Sequence, residues 1–344
     1  MILNNYKFKI IYLMINKRKK NLYFKNSNNF YHGIMFHHFH DHNKYLKGQG
    51  TISKNRFIKI IDFVGKENIL NGEEFIQKLK NGKLKKNDLC LTFDDSAKSQ
   101  IDIALPILEK LKIKGIFFVH TSIFDKSQNL IEIFRVFRNS YKKGMNYFYK
   151  DFYKILNRKK DLNIFFKIND KLIKSLKKKF SFYSINDIKF RLVRDRFLNS
   201  ELYEKLMKNL MKKKNFRYKQ IMKNLFFSKK DLKKLAKLGH SIGLHSHSHP
   251  TLLEKFNYSD QKKEYNTNIF ELTKILPKNY NIQCMAHPCG SYNSETLEIL
   301  KKLNIKVGFK QIMTIEKEKG MKKINNSLLE IAREDHSNIL KKMI

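Results

Sequence analysis

The chain has 344 residues, of which 42% are hydrophobic, with 28 Phe, 16 Tyr and no Trp. This length and composition exclude a disordered chain and allow one large domain or two ordinary ones. The formal charge is +40, from 71 Lys+Arg against 31 Asp+Glu. No helix-turn-helix, finger or RNA-binding signature accompanies this charge, so we expect no dedicated nucleic-acid binding.

The charge excess is mostly lysine and is spread along the whole chain, as an AT-rich coding bias would produce. Attraction to an anionic membrane surface through basic faces remains an alternative.

Cys90, Cys284 and Cys289 form no CxxC pair, which argues against a disulfide framework or a zinc knuckle. The apolar run 10–15 is too short for a signal-peptide core, and no run approaches the length of a membrane span. We therefore expect a cytoplasmic protein, either free or peripheral to the inner face of the membrane.

The chain begins with a basic N-terminal extension, 1–30, and we expect the remainder, 31–344, to form a single domain. The segment GIMFHHFHD, 33–41, predicts a short buried strand that ends in imidazoles, and 54–80 predicts helices. Residues 88–93 and 116–120 predict two strands, with a helix between them over 97–112 that starts either there or near Pro106. Strand, helix and strand with short connections imply parallel pairing and a right-handed crossover.

Residues 126–227 interrupt this rhythm and predict a helical insertion whose lysine runs are solvated faces. The α/β pattern returns with a helix that has Ser228 as N-cap, Asp231 in a capping box and Gly239 as C-cap. Alternating strands and helices follow over 241–244, 259–276, 282–287, 294–303 and 306–309. Repeated β/α units with polar residues at the strand ends favour a barrel, whose active sites lie at that end.

Four of the 12 histidines fall within 240–249, where HSHSHP (245–250) follows a predicted strand. His245 and His249 are four residues apart, a spacing that puts both on one side of either an extended or a helical backbone. Two neutral imidazoles on one side can chelate zinc or a similar divalent ion. A His-rich surface turn is the alternative.

Two further segments place polar residues at strand ends. In TFDDS (92–96), the side chains of Asp94 and Asp95 diverge, so one can reach a metal while the other faces a substrate. A simple helix N-cap at Asp95 or Ser96 is the alternative. In AHPCGSYN (286–293), the Pro-x-Gly turn presents backbone N–H groups that suit an oxyanion, and an ordinary loop is the alternative.

The three motifs, in this order and on parallel strands, resemble the polysaccharide deacetylase family, also called the NodB-homology or carbohydrate esterase four group. The phrase LGHSIGLHSHSHP is similar to that family's lead-in to its histidine motif. The resemblance covers about 33–124 and 228–336. It implies an α/β fold, a deformed (β/α) barrel of the polysaccharide deacetylase type, interrupted here by the helical insertion.

The resemblance also implies roles for particular residues. Asp94 corresponds to the catalytic base, and Asp95, His245 and His249 correspond to the ligands of a divalent metal. Zinc is the first expectation for that metal, with Co, Ni or Mn as alternatives. The backbone N–H of Cys289, after Pro288, corresponds to the oxyanion donor.

The general acid of the family is harder to place. IAREDHSN (331–338) offers His336 as the acid, or Arg333 and Asp335 as a supporting pair that contacts the substrate region. His287 is unusual for the family and is expected in the pocket, while His37 or His38 either lines it or lies on a solvated loop; His40 and His42 have no counterpart. Ser96 and Cys289 stand where the family usually has Gly and Tyr.

The implied function is metal-dependent hydrolysis of an N-acetyl or O-acetyl group on a sugar. The expected partner is an acetylated carbohydrate, free or linked to a lipid or nucleotide, in a cell-surface glycan or its intracellular precursor, such as lipopolysaccharide or capsule. The alternatives are a deformylase or amidohydrolase acting on a non-polymeric substrate and a catalytically inactive glycan-binding module.

Overall fold

The computed structural model describes residues 23, 30–41, 43–125, 130–157, 169–180, 183–218, 221 and 224–344. The predicted extension 1–30 therefore lies almost entirely outside the described residues, as does His42. Tyr23 is an exception, because its ring is buried and its hydroxyl lies 2.8 Å from His32 Nε2. Within the described part of the chain, no helix is both long enough and apolar enough to cross a membrane.

Seven parallel strands form the centre of the fold, in the spatial order β8-β7-β6-β5-β4-β1-β9. Their bounds are β1 His32–Phe36, β4 Leu89–Phe93, β5 Ile116–Val119, β6 Ser241–Leu244, β7 Cys284–Ala286, β8 Val307–Phe309 and β9 Arg333–Asp335; β2 His38–His40 and β3 Thr51–Ser53 pair separately. A parallel bridge between Phe309 and Ile331 joins β8 to the segment that enters β9. The sheet is therefore a nearly closed barrel, and the carboxyl ends of its strands meet at one rim.

Twelve α-helices of the described residues surround or extend this barrel. They are α1 Lys54–Val64, α2 Gly72–Lys80, α3 Leu105–Leu111, α4 Ile131–Asn139, α5 Met145–Asn157, α6 Asp170–Lys179, α7 Ile185–Leu192, α8 Ser200–Lys213, α9 Lys229–Lys237, α10 Tyr258–Thr273, α11 Ser294–Lys302 and α12 His336–Met343. The helix that precedes β6 has the predicted start, since Ser228 and Asp231 form a reciprocal capping box. Gly239, one residue beyond the C-cap Leu238, has a φ of 82°.

The helix predicted over 97–112 is divided in the structure. A π-helical turn, Gln100–Ala104, leads into α3, and Pro106 occupies the first turn of that helix, where its missing N–H costs no helical hydrogen bond. The strand predicted over 282–287 is shorter than expected, because only Cys284–Ala286 pairs with its neighbours.

Helices α4 to α8 lie within the predicted insertion and have a hydrophobic cluster of their own. Its buried members include Phe134, Phe148, Phe190, Leu206 and Met207. The lysines of the run 212–214 are exposed, as the sequence predicted for them. The insertion thus has its own packed core, which can hold side chains rigidly against the barrel. The domain boundaries themselves remain predictions.

Candidate active site

Three residues from two strand ends converge at the rim of the barrel. Asp95 follows β4, and its Oδ1 lies 3.3 Å from Nε2 of His245 and 3.1 Å from Nε2 of His249, both of which follow β6. The ligand atoms of the three residues lie within 4.8 Å of one another, and all three belong to a buried group that could hold a metal ion. One carboxylate oxygen and two imidazole nitrogens are a donor set that suits zinc and related divalent ions.

Hydrogen bonds to the backbone fix the first imidazole of this group. His245 Nδ1 lies 2.9 Å from the carbonyl oxygen of Ala286, so this nitrogen carries a proton and Nε2 is directed at Asp95. The backbone N–H of His245 donates to Asn268 Oδ1, and the Asn268 amide donates to the carbonyl of Val119. The strand ends around His245 are therefore held by a buried amide from α10.

The backbone around the site adopts left-handed conformations that non-glycine residues rarely use. Of the eight non-glycine residues with positive φ in the described chain, five lie here: Asp95 (68°), Ser96 (54°), Ser246 (59°), His249 (55°) and Cys289 (52°). Each such residue costs of order 1–2 kcal/mol. This concentration of unfavourable conformations at the strand ends is typical of a functional site, where side-chain direction takes precedence over stability.

The neighbouring carboxylate, Asp94, faces a different partner. Its two oxygens accept hydrogen bonds of 2.6 and 2.7 Å from the Nη atoms of Arg333, while Arg333 Nε donates to the Lys310 carbonyl. Asp94 and Arg333 are 2% and 1% exposed, so the pair lies inside the barrel rim. The two adjacent carboxylates diverge, as the sequence predicted, and neither serves as a simple helix cap.

The charges around these carboxylates keep them ionised. Burial is the largest influence on the pKa of Asp94 and raises it, but the charges of Arg333, His245 and His37 outweigh burial and hold the pKa below its ordinary value. For Asp95, burial again raises the pKa, but His249 and the hydrogen bonds from both imidazoles lower it well below the ordinary value. Both groups therefore act as acceptors at neutral pH.

The third strand end, after β7, brings two predicted residues to the same cavity. His287 and Cys289 line it together with Asp94, Asp95, His245 and His249, whereas Pro288 is buried and does not line it. His287 stacks on Tyr292 with ring centroids 4.1 Å apart, and its Nε2 bonds to the Leu329 carbonyl. Burial lowers the pKa of His287 to about 3 and raises that of the Cys289 thiol to about 12, so both side chains are neutral.

The segment 333–336 places its candidate residues in different surroundings. His336 is 2% exposed and stacks on Phe36 at 5.6 Å, and it does not line the cavity. Arg333 and Asp335 do not pair with each other, because Arg333 binds Asp94 while Asp335 accepts from the Ser337 N–H as the N-cap of α12. Strand alternation explains the difference: Arg333 and Asp335 share the face toward the cavity, and His336 begins the helix on another side.

Two histidines, His37 just after β1 and His38 at the start of β2, reach the cavity. His37 and His38 line it, and His37 Nε2 lies 3.8 Å from Asp94 Oδ2. His38 Nε2 lies 3.9 Å from Asp95 Oδ2 and 3.3 Å from Oε2 of Glu132. In contrast, His40 bonds to Thr51 Oγ1, and His247 bonds to Thr121 Oγ1, away from the metal candidates.

Glu132 and four arginines were not predicted, and all come from the insertion. Glu132, Arg135 and Arg138 lie on α4, while Arg191 and Arg194 lie at the end of α7 and just after it; all five line the cavity. The spacing of three residues within each set places their side chains on one helix face. That spacing was the available signal, but nothing in the sequence said that this face meets the barrel.

Comparison with known proteins confirms the predicted resemblance and fold. The family model described as polysaccharide deacetylase matches residues 139–308. A deacetylase from Streptococcus pyogenes, PplD, solved with acetate, is 20% identical with a TM-score of 0.50, over 91% of this chain and 97% of that one. A de-N-acetylase from Aggregatibacter actinomycetemcomitans is 13% identical with a TM-score of 0.51, over 91% and 99% respectively. No curated protein sequence matches. At these identities the two structures establish the fold, which is the expected deformed (β/α) barrel with helices.

Proposed function

We propose, from the confirmed resemblance to the polysaccharide deacetylase family, that this chain is a metal-dependent hydrolase that removes an acetyl group from a sugar. One observation carries the proposal: a carboxylate and two imidazoles that could hold a metal lie beside a second, arginine-bound carboxylate in one cavity. A metal-ligand group without a base could serve structure alone. The adjacent Asp94 is what supports catalysis.

The donor set fits a divalent ion held by Asp95, His245 and His249. Such an ion, when bound, polarises an acyl carbonyl and lowers the pKa of water. Three protein ligands leave positions open for substrate, as catalytic sites require. Zinc fits these donors well, and Co, Ni or Mn are alternatives.

The remaining steps use groups of this chain. Asp94, kept ionised by Arg333, accepts a proton from the water that attacks the acetyl carbon. The developing oxyanion meets the backbone N–H of Cys289 in the turn after β7. His37, whose side chain is 22% exposed and lies near Asp94, supplies the proton to the departing amine, with His336 as the alternative acid. The products are acetate and the free amino sugar.

A direct test measures acetate release from an N-acetylglucosamine oligomer by purified protein that has been stripped with chelator and reloaded with zinc. We expect release only after reloading, with formate absent, which separates this reaction from deformylation. Asp94→Asn should lower turnover by about 10²-fold to 10⁴-fold while metal content and sugar binding persist. The exposed Asp62→Asn serves as the matched control.

Two outcomes would contradict the proposal. Reloaded protein that stays inert toward N-acetyl and O-acetyl sugars removes the hydrolase assignment. An equal loss of sugar binding and turnover in Asp94→Asn would instead favour the glycan-binding alternative. The cell-surface or precursor glycan, the link to lipid or nucleotide, contact with a membrane and a cytoplasmic location stay part of the proposal.

A further inference from the structure

Arginine is concentrated at the candidate active site. The chain contains 61 Lys and 10 Arg, so lysine is its default cation. Among the described residues, the cavity is nevertheless lined by five arginines and by no lysine: Arg135, Arg138, Arg191, Arg194 and Arg333. Arginine differs from lysine in its planar fork of N–H donors, which matches carboxylate and phosphate groups. The selection of arginine here points to guanidinium chemistry, not to net charge alone.

Arg333 is hydrogen-bonded to Asp94. Three of the four insertion arginines each donate from Nε to a carboxylate of the insertion. The Nε atom of Arg135 donates to Glu132 at 2.7 Å, that of Arg191 to Asp187 at 2.8 Å and that of Arg194 to Asp195 at 2.6 Å. Arg194 differs in that its Nη2 also donates to Asp195, at 2.8 Å. Within the described residues, both terminal nitrogens of Arg135 and of Arg191 make no hydrogen bond to protein. An Nε anchor of this kind fixes a guanidinium while its Nη donors remain available for a ligand.

The fourth arginine adds an unmet donor. Arg138 is 7% exposed, and its Nε has no hydrogen-bond partner in the described structure, while its Nη1 lies 3.5 Å from Asp187. A buried guanidinium with an unsatisfied donor is costly unless a ligand or water completes it. The Arg191 guanidinium is also held flat on the Tyr183 ring, with its carbon 3.8 Å from the ring centre.

The carboxylates that anchor these arginines mostly lie behind them. Asp187 is fully buried and Asp195 does not line the cavity, so of the three anchors Glu132 alone faces it. This insertion wall therefore presents four cations and one anion. Tyr183, Arg191 and Arg194 also line a second groove that continues from the cavity, with Leu176 and Phe180 on its apolar side.

We propose that Arg135, Arg138, Arg191 and Arg194 form an anion subsite, so that the sugar deacetylated here carries a phosphate or a carboxylate near its acetyl group. The inference rests on the proposed function and names its substrate class. Phosphate and carboxylate share the chemistry that a guanidinium fork recognises, and the second groove provides room for what a phosphate would link. A neutral glycan would offer no anion to the buried Arg138 Nε or to the terminal nitrogens of Arg135 and Arg191.

Binding can test the subsite without turnover. Glucose 1-phosphate, glucuronic acid and methyl glucoside share a sugar ring, lack an acetyl group and differ in charge. Calorimetric titration of each into zinc-loaded protein should show at least one anionic ligand binding about tenfold or more tighter than methyl glucoside. A preference for the phosphate or for the uronate identifies the source of the anion.

The variants are Arg191→Gln and Arg135→Gln, with the exposed insertion residue Arg217→Gln as the matched control. Each cavity variant should lose most of the anion preference, with unchanged affinity for methyl glucoside, while the control keeps it. Arg191→Lys separates charge from fork geometry and should recover only part of the loss. Unfolding curves identify any variant that fails to fold, and the other position then provides the result.

Equal affinity for all three ligands, or the same loss in Arg217→Gln, would overturn the subsite. Its failure is distinguishable from failure of the proposed function. Acetate release from neutral sugars without an anion preference refutes the subsite alone. An anion preference without any acetate release refutes the deacetylase and leaves an anionic-sugar binding site.

Discussion

Replacing Arg333 by Met would remove the cation that neutralises Asp94 inside the barrel rim. Both residues are at most 2% exposed, and two hydrogen bonds of 2.6 and 2.7 Å join them. Met fills much of the space of the aliphatic stem, so the change removes charge and hydrogen bonds more than volume. Taking one partner from a buried ion pair typically costs about 3–5 kcal/mol of the free energy of unfolding.

The pH dependence of that cost has a definite sign. In the parent, the folded pKa of Asp94 lies below its unfolded value, so the stabilising contribution is present at neutral pH and is lost as pH falls through the folded pKa. Burial, the largest influence, acts to raise this pKa. Without Arg333 we expect the folded pKa to rise above the unfolded value. The cost of Arg333→Met should therefore grow as pH rises above about 4.

Urea unfolding of chelator-treated protein at several pH values measures both quantities, since chelation keeps metal binding out of the equilibrium. A double-mutant cycle with Asp94→Asn completes the test. The double variant should be less destabilised than the sum of the single variants, because no uncompensated charge remains buried. A cost for Arg333→Met below about 1 kcal/mol, independent of pH, would refute the reasoning, as would additive costs.

Three further predictions follow from the described contacts. Zinc at about 100 times its dissociation constant should raise the free energy of unfolding by about 2.7 kcal/mol, and His249→Ala, which removes one proposed ligand, should abolish that increase in calorimetric unfolding. Burial, opposed by a bond to Phe30, lowers the pKa of His32 to about 4. Because the unfolded chain then binds more protons, His32 should contribute about 1.4 kcal/mol per pH unit to the stability that the parent loses between about pH 6.5 and 4, and His32→Gln should reduce the slope by that amount. Cys289→Ala should keep turnover near the parent value, because the proposed oxyanion donor is the backbone N–H; a large loss of kcat would assign the role to the thiol instead.

The sequence sufficed for those parts of the site that depend on strand topology. Asp94, Asp95, His245 and His249 each follow a strand of recognisable pattern, and parallel strands bring their carboxyl ends to one rim. These residues could therefore be assigned to one site although they lie far apart in the sequence. The same logic placed Cys289 at the cavity, although the roles of all these residues remain predictions.

Sequence reasoning left alternatives open where a single residue decides the direction of a side chain. In the segment 333–336, alternation along β9 sends Arg333 and Asp335 toward the cavity, and the start of α12 turns His336 onto Phe36. A motif fixes the region of the chain but not the residue at which a strand becomes a helix. The partner of Arg333 was also inaccessible to pattern reasoning, because Asp94 lies 239 positions away.

The insertion illustrates a different limit. Periodicity predicted its helices, and its exposed lysine runs, because both depend on local spacing. It could not show that the face carrying Glu132, Arg135 and Arg138 is directed to the barrel, since no strand register connects α4 to the rim. The sequence contains only 10 arginines against 61 lysines. The structure places five of those arginines, and none of the described lysines, at the cavity.

The site therefore has two parts, one from the barrel rim and one from the insertion. The barrel rim supplies the metal candidates and the carboxylate beside them, in conformations that cost of order 1–2 kcal/mol at each left-handed residue. The insertion, with its own hydrophobic cluster, supplies guanidinium groups held by carboxylates of its own helices. Because Arg191 and Arg194 are held by carboxylates of the insertion that do not line the cavity, we expect their substitution to change which sugar binds while Asp94 and Asp95 stay in place. Arg135 is different, since its anchor Glu132 also contacts His38. Under the proposed function, hydrolysis at the barrel rim would be combined with a substrate preference that is set by helices outside the barrel.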